Sequence, residues 1–487
     1  MKLNKILNGI EHKIINGKND LNISDLQYDS RKIKNNDLFI AIKGFNVDGH
    51  DYIKEAVEKG ATAVIVEKKL KKYLSGITYI EVENTRKEMA VLAKNFFANP
   101  LADIDLIGIT GTNGKTTTAY LIYNILRKNS FKTAMFGTIK NIIAGEEISA
   151  TRTTPESLDL YRYFSQAKTA GVQYIVMEVS SHALDLYRVH QMDFSLAVFT
   201  NLSPEHLDYH KDLASYRQAK SKLFSQLSPD ASAVINLDDK NSGFMLEKSK
   251  AHNFKYSLSN QNADLYCQNY KLKQNSLNYQ SQGLIKRNFQ LKLGGIFNIY
   301  NSLAAVLSVF LLGISADKIV NSLEEIKGVP GRFELINAGQ DFQLIVDYAH
   351  TPDGMENVLE AAKEITKNRL IVLFGCGGDR DRSKRPVMAK LAEDNADYVF
   401  LTNDNPRSED PEFILSEIKS GFSNSFSNYE VISDRKKAIV EAINFAKKDD
   451  IILILGRGHE KYQVIKDKKI ELDDRKVAYQ ALKERSS

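Results

Sequence analysis

The 487-residue chain has no tryptophan and only two cysteines, Cys267 and Cys376. These lie far apart and near no histidine pair, so neither a disulfide framework nor a zinc site is indicated, as suits a reducing cytoplasm. No run of about 18 apolar residues occurs, as a membrane span would need. The start, Met1-Lys2-Leu3-Asn4-Lys5-Ile6-Leu7, has no long apolar core and no small-residue cleavage site, so no signal peptide is expected. A strong excess of one charge is also missing. The net charge of +5 is small for this length; it argues against a dedicated nucleic-acid binder and leaves room for local basic pockets that hold anionic substrates. Low-complexity segments and internal repeats are absent. What remains is the composition of an ordinary globular protein, too long for one core, and length alone suggests about three domains.

The most telling segment is Gly111-Thr112-Asn113-Gly114-Lys115-Thr116-Thr117-Thr118, directly after the apolar run Leu106-Ile107-Gly108-Ile109-Thr110. A β-branched run followed by glycines, a lysine and a hydroxyl at the head of a helix reads as a phosphate cradle. Glycine lets the backbone approach an anion, the N–H groups converge on it, Lys115 adds a point charge, and the Thr116 hydroxyl can ligate Mg²⁺. The full-length pattern wants a glycine where Ile109 stands, so this is a shorter variant. The chain is expected to bind a nucleoside triphosphate.

The chain divides into three parts: residues 1–100, 101–329 and 330–487. The first holds strand-like runs at 37–42 and 61–67, a helical stretch at 52–59 and a second at 86–98. In the second, strands at 105–110, 132–137, 174–179, 195–200 and 231–236 alternate with helices at 116–129, 157–169 and 213–226, the signature of a parallel sheet covered by helices. Residues 254–293 read as short alternating strands, and helices follow at 299–312 and 316–326. Gly328-Val329-Pro330-Gly331 ends that set. Beyond it, strands at 344–348, 370–374, 398–402 and 451–455 alternate with helices at 353–366, 384–395 and 434–447. The fold class expected is therefore α/β in three domains: a small N-terminal α/β domain, a central P-loop ATPase domain with a parallel sheet, and a C-terminal Rossmann-like domain that binds ligands at the carboxyl ends of its strands.

Those strand ends carry the candidate chemistry. Glu178 ends one strand in Met177-Glu178-Val179-Ser180-Ser181-His182, and a carboxylate there needs a partner or a metal. His206 lies after the next, in Asn201-Leu202-Ser203-Pro204-Glu205-His206-Leu207-Asp208-Tyr209; a lone histidine is more often structural than a ligand. Composition does not distinguish Lys220 from a surface lysine. In the last domain Asp347–Pro352, the arginine-dense turn Gly377–Pro386, Asp404-Asn405-Pro406-Arg407 and Gly456–Glu460 all follow strands. Repeated guanidinium groups suit a carboxylate-rich ligand, whereas a solvated rim accounts for Arg382 and Lys384 better than for Arg380 or Arg407.

In this order the motifs resemble the Mur ligases of peptidoglycan synthesis, and among them the MurE type, which adds the third amino acid. Asp29-Ser30-Arg31, Asp37-Leu38-Phe39, Thr153-Thr154-Pro155, Gly331-Arg332 and Tyr462-Gln463 extend the resemblance over essentially the whole chain. It implies a cytoplasmic, monomeric enzyme that uses ATP and Mg²⁺. The enzyme joins meso-diaminopimelate to the D-glutamyl γ-carboxylate of UDP-MurNAc-L-Ala-D-Glu through an acyl phosphate, without nucleic acid or membrane insertion. Residues 1–100 would bind the UDP-MurNAc part, 101–329 ATP, and 330–487 the amino acid.

Residue by residue, the resemblance assigns catalysis to Lys115, Glu178, His206 and Lys220. Nucleotide contacts fall to Gly111, Thr112, Asn113, Gly114, Lys115, Thr116 and Thr117, with Asn301, Arg332 and Asp347. Metal ligation falls to Thr116, Glu178, His206 and Lys220, the last as a carbamate, an anionic oxygen ligand in place of an ammonium that would repel Mg²⁺. Ser30 and the loop Phe45-Asn46-Val47 would meet the uridine diphosphate; Thr153, Thr154, Ser180 and Arg188 would meet the muramoyl-dipeptide. Arg152 and Leu186 depart from asparagine and glutamine found in some members. Arg380, Asp404, Asn405, Pro406, Arg407, Gly456 and Glu460 match the acceptor set. Its Asp-Asn-Pro-Arg resembles the version that holds the second carboxylate of diaminopimelate; an arginine beside a lysine ammonium would be repulsive and unsatisfied. The alternatives carried forward are an L-lysine-adding member, a folylpolyglutamate synthetase and a nucleotide switch without ligase activity.

Overall fold

The computed structural model describes residues 1–45, 47–150, 152–273 and 276–485, without the side chain of Asp208. Among the described residues three main sheets follow one another along the chain. The first is five-stranded, in the order Lys13–Asn16, Thr78–Glu81, Ala61–Val66, Asp37–Ile40, Leu26–Gln27, with only the Lys13–Asn16 edge antiparallel.

The second sheet has eleven strands. Its parallel centre sets Asp105–Thr110 between Tyr174–Glu178 and Leu196–Phe199, with Thr133–Phe136 on one side and Ser232–Asn236 then His252–Ser257 on the other. Side chains alternate along each central strand. Leu106, Ile175 and Ala197 join one core with Leu3, Leu38 and Ile80 of the N-terminal unit, while Ile107, Val176 and Val198 face the helices Lys115–Lys128 and Phe297–Leu311. Both faces are covered, which is why these strands read as continuous apolar runs. The stretch expected as short strands forms His252–Ser257, Leu265–Lys273, Ser276–Gly283 and Asn288–Leu291, the last pairs antiparallel.

The third sheet orders Glu334–Leu335, Gln343–Asp347, Ile451–Leu455, Leu370–Phe374, Tyr398–Leu401 and Tyr429–Val431, parallel apart from its first strand. Helices cover both faces, each face with its own core. Several elements beyond those expected appear: the strands Asn141–Ile143 and Glu146–Ile148, the helices Ser242–Lys248, Pro411–Lys419 and Asp474–Arg485, and the hairpin Tyr462–Ile465/Lys468–Glu471. No helix among the described residues is long and apolar enough to cross a membrane.

The helix Asp474–Arg485 is held by charge rather than by a strong apolar stripe. Asp474 is fully buried, accepts from Arg435 Nε at 3.1 Å and Nη2 at 2.8 Å, and lies 3.6 Å from Arg457 Nε. Both arginines are fully buried as well. Removing the shared carboxylate would strand two cations in a dry site. Asp474→Ala is therefore expected to cost about 3–5 kcal/mol, read from urea unfolding; a loss under about 1 kcal/mol would show that water reaches the arginines.

Candidate active site

The phosphate loop leaves its strand at Thr110, and Gly114, at φ 83°, turns it into the helix Lys115–Lys128. A Cβ on Gly111 would lie 1.8 Å from Thr200 Oγ1, so the neighbouring strand end leaves no space for a side chain. That neighbour also binds the loop: Thr112 N donates to Asn201 O and Asn113 N to Asn201 Oδ1, both at 2.9 Å, while Thr200 Oγ1 donates to Asn113 O at 2.6 Å.

Two lysines converge beneath the loop. Lys115 Nζ donates to the carbonyls of Gly111 (2.9 Å) and Thr112 (2.7 Å); Lys220 Nζ donates to Gly111 O at 2.6 Å and lies 4.4 Å from the centre of the Tyr216 ring. Lys220 is 1% exposed. Burial first, and then the charge of Lys115, push its pKa well below the usual lysine value, with Glu205 opposing. Burial raises the pKa of Glu205, but His206, Lys115, His350 and Lys220 together bring it below the ordinary carboxylate value. The His206 ring packs against His182 and lies 3.8 Å from Glu205.

Glu178 is hydrogen-bonded at both oxygens. Oε2 accepts from Thr116 Oγ1 (2.8 Å) and Thr138 Oγ1 (3.0 Å), and Oε1 from Thr138 N (2.7 Å). Arg332 Nη2 donates to the same Thr116 hydroxyl at 3.1 Å, with its guanidinium over the Tyr348 ring. Sequence reasoning missed Thr138, whose segment offers no motif of its own. Among the described residues no three His, Cys, Asp or Glu side chains gather into a metal-holding group. A hydroxyl and a carboxylate at a phosphate loop nevertheless fit Mg²⁺, which keeps several waters and takes further oxygens from substrate phosphates.

The residues expected at the muramoyl-dipeptide lie beside Glu178. Thr153 Oγ1 is 3.1 Å from Thr138 Oγ1, Thr154 Oγ1 donates to Glu178 O at 2.8 Å and accepts from Ser180 N, and Arg188 Nη1 donates to Thr154 O at 3.0 Å. Beneath them Glu156, 3% exposed, pairs with Arg188 (3.0 Å), Arg86 (3.3 Å) and Arg152. One carboxylate among three arginines leaves net positive charge there, which no single motif revealed. Ser30 is not in this group; its hydroxyl donates to Glu55 Oε2 at 3.1 Å. Phe45 is exposed with its edge towards Tyr209, Val47 is exposed, and Asn46 lies outside the described residues.

A cavity of about 370 Å³ opens between the second and third units. Asn113, Gly114, Thr117, Asn301, Arg332 and Asp347 line it, together with Tyr300 and Asp353. Both oxygens of Asp347 are committed to the backbone: Oδ2 accepts from Phe333 N (2.6 Å) and Oδ1 from Ala349 N (2.7 Å). Thr351 caps the helix Pro352–Ile365, and Asp353 in its first turn accepts from Asn113 Nδ2 and from Ser203 Oγ at 2.8 Å, linking the third unit to the loop.

The expected acceptor residues gather beyond the carboxyl ends of the strands Leu370–Phe374, Tyr398–Leu401 and Ile451–Leu455. Gly456 (φ 110°) lies so close to Asp404 that a Cβ would be 2.6 Å from Oδ2. Asn405 Nδ2 donates to Glu460 Oε2 at 2.8 Å, and Asn405 Oδ1 accepts from Arg457 Nη1 at 3.0 Å and Val464 N at 2.8 Å, which fixes the amide's orientation. Pro406 packs its carbonyl where a Gly378 side chain would stand. Arg407, at φ 52°, is held in that unusual conformation by backbone pairing with Val464 and Lys466. Its Nη1 donates to Gly378 O at 2.6 Å. Burial and then Arg380 lower the pKa of Arg407, and burial and then Asp404 raise that of Glu460. Arg380 itself is exposed, donating to Asp379 O. Cations thus lie close to acids in one cluster, a pattern suited to a ligand bearing both carboxylate and ammonium groups.

Family profiles match all three units: the Mur ligase family catalytic domain over residues 22–97, the Mur ligase middle domain over 109–309, and the Mur ligase glutamate ligase domain over 331–458. The chain belongs to the Mur ligase family. It is 44% identical over 485 residues to the UDP-N-acetylmuramoyl-L-alanyl-D-glutamate--2,6-diaminopimelate ligase of Caldanaerobacter subterraneus subsp. tengcongensis, covering 99% of each chain. It is 43% identical over 491 residues to the protein of that name from Clostridioides difficile, again 99% of each. A solved structure bearing the same name superposes with a TM-score of 0.71 at 31% identity, covering 100% of this chain and 99% of that one. MurF ligase of Thermotoga maritima in complex with ADP shares the fold with a TM-score of 0.61 at 18% identity, over 94% of this chain and 96% of that one.

The buried lysine of this Mur ligase generates a stability prediction. The folded Lys220 resists protonation while the unfolded lysine holds its proton up to its ordinary value, so stability rises with pH across that window. Lys220→Met, compared without nucleotide or metal, is expected to unfold at higher temperature near neutral pH, by about 1–3 kcal/mol in stability. That advantage should shrink as pH rises towards the unfolded lysine's pKa. An unfolding midpoint below the wild type would show that the bond to Gly111 outweighs the desolvation cost.

Proposed function

We propose that this Mur ligase is the ATP-dependent amide ligase that adds meso-diaminopimelate to the D-glutamyl γ-carboxylate of UDP-MurNAc-L-Ala-D-Glu, a step of peptidoglycan precursor synthesis. The observation that carries the reading is the pairing, in a relative of enzymes so named over 99% of each chain, of Thr116 and Glu178 at a phosphate loop with a separate cluster of opposed charges around Asp404, Arg407 and Glu460. Its substrates are small and soluble, and the working form is taken to be a cytoplasmic monomer.

In this reading residues 1–100 hold the UDP-MurNAc end, 101–329 the nucleotide and 330–487 the amino acid. Asn301 and Asp347 border the base and ribose of ATP, with Asp347 acting by fixing the backbone at Phe333 and Ala349. Lys115 and Arg332 hold the phosphates, releasing the internal partners they have here. Thr116 and Glu178 would hold Mg²⁺, with His206 and a carbamoylated Lys220 serving a second ion; when bound, the metal would supply positive charge that screens the repulsion between triphosphate and carboxylate. Thr153, Thr154, Ser180 and Arg188 present the γ-carboxylate, and Ser30 meets the uridine diphosphate. The carboxylate attacks the terminal phosphorus and ADP leaves; the amine then attacks the acyl phosphate and inorganic phosphate leaves. Lys220 suits carbamoylation because only an unprotonated amine attacks CO₂, and its surroundings favour that form.

Arg407 and Arg380 favour diaminopimelate over L-lysine, whose side chain offers an ammonium where the second carboxylate would sit. Supplied with ATP, Mg²⁺ and UDP-MurNAc-L-Ala-D-Glu, the protein is expected to turn over meso-diaminopimelate at least about 100-fold more efficiently than L-lysine. Phosphate release and product mass are the measurements. Equal or faster turnover with lysine would overturn the specificity, and no amide with either amine would overturn the ligase in favour of a nucleotide switch. Lys220→Ala should lose most activity and regain part of it with short-chain carboxylic acids in the buffer; full activity without them would remove Lys220 from the metal site.

A further inference from the structure

The acyl-transfer step needs a base, a role given to none of the residues named so far. An amino acid arrives as an ammonium ion, which has no lone pair to attack with, and Lys115, Arg332, Arg380 and Arg407 are cations. His350 lies at the end of the strand Gln343–Asp347, in Asp347-Tyr348-Ala349-His350, beside the junction of the two chemical centres. Its Nδ1 is 3.0 Å from the carbonyl oxygen of Tyr348. A carbonyl only accepts, so that contact places the ring proton on Nδ1 and leaves the Nε2 lone pair bare. Nε2 has no hydrogen-bond partner among the described residues, and the residue is only partly buried, next to Ala349, which lines the cleft.

Three charged groups from different elements act on the ring electrostatically. Lys384, on the helix Lys384–Asn395, donates to the His350 backbone carbonyl at 2.8 Å; Asp404 comes from the expected acceptor cluster; Glu205 comes from the loop beside Lys115 and Lys220. The Tyr348 ring packs at 4.8 Å. Burial and then Lys384 outweigh the two acids and hold the imidazole below the usual histidine pKa, which keeps it unprotonated at neutral pH. His350 thus senses Asp404 on the amine's side and Glu205 on the phosphate-loop side.

We propose that His350 Nε2 is the catalytic base that takes a proton from the incoming ammonium and frees its lone pair to attack the acyl phosphate. The inference rests on the amide-ligase reading above. One N–H bond of the ammonium breaks as Nε2–H forms. The nitrogen pair then forms the C–N bond to the acyl carbon, the C–O bond to phosphate breaks with its electron pair on the departing oxygen, and a second N–H proton leaves with that phosphate. Imidazolium returns its proton to water as products depart.

Hydroxylamine separates this role from a structural one, because it carries an unprotonated nitrogen at neutral pH and needs no base. With full-length enzyme, ATP, Mg²⁺ and UDP-MurNAc-L-Ala-D-Glu, His350→Gln and His350→Asn are expected to lose roughly 100- to 1000-fold in kcat with diaminopimelate. Both should form the hydroxamate at no less than about one-third of the wild-type rate. The wild-type acid limb of kcat with diaminopimelate should vanish in the variants, replaced by a rate that climbs with pH as free amine accumulates. The proposal is overturned if hydroxamate and amide formation fall together, or if either variant keeps its rate with diaminopimelate. A wild type that forms neither product would instead remove the ligase reading itself.

Discussion

The carbonyl oxygen of Gly111 accepts from two buried lysine nitrogens at once, those of Lys115 and Lys220, and the groups around them decide where the charge sits. Two like charges in a dry site repel each other strongly, which is why Lys115 adds to burial in pushing Lys220 towards its unprotonated form. Around them Glu205 supplies negative charge, the carbonyls of Gly111 and Thr112 supply dipoles, and the Tyr216 ring supplies its electron-rich face. Stability sacrificed at such a point is a common signature of a working site.

Much of this was legible in the chain itself. The phosphate loop, the strands that end at Glu178 and Asp347 and the break at Gly328–Gly331 each follow from local chemistry: β-branched runs, glycines where backbones approach, and proline where a helix stops. The residues that escaped notice act only through distant partners. Thr138 is an unremarkable threonine until the fold sets its hydroxyl and amide on the Glu178 carboxylate. Glu156 reads as a helix-start acid, and only three arginines from separate segments make it the centre of a positive patch. Asp474, 70 residues along the sequence from Asp404, lies beyond the last strand the sequence suggested, and the fold makes it wholly buried.

The cluster around Asn405 shows how such distant residues act on one another. Arg435 and Arg457 meet on Asp474, Arg457 holds the amide oxygen of Asn405, and the amide nitrogen is thereby turned to Glu460. Asparagine alone would leave its two ends nearly interchangeable. The buried charges select one orientation, so the cluster presents a defined set of donors and acceptors, and a ligand at the proposed site would not have to order them. The backbone of Arg407, strained but paired to the hairpin, is fixed by the same logic.

The chain passes from the second unit to the third only once, through Gly328–Gly331, while Asp353 fastens the two again at Asn113 and Ser203. Arg332, on the third unit's side of that tether, bonds Thr116 as well, so two separate contacts join the third unit to the phosphate loop and the helix it opens. A change in the position of that loop therefore bears directly on the third unit.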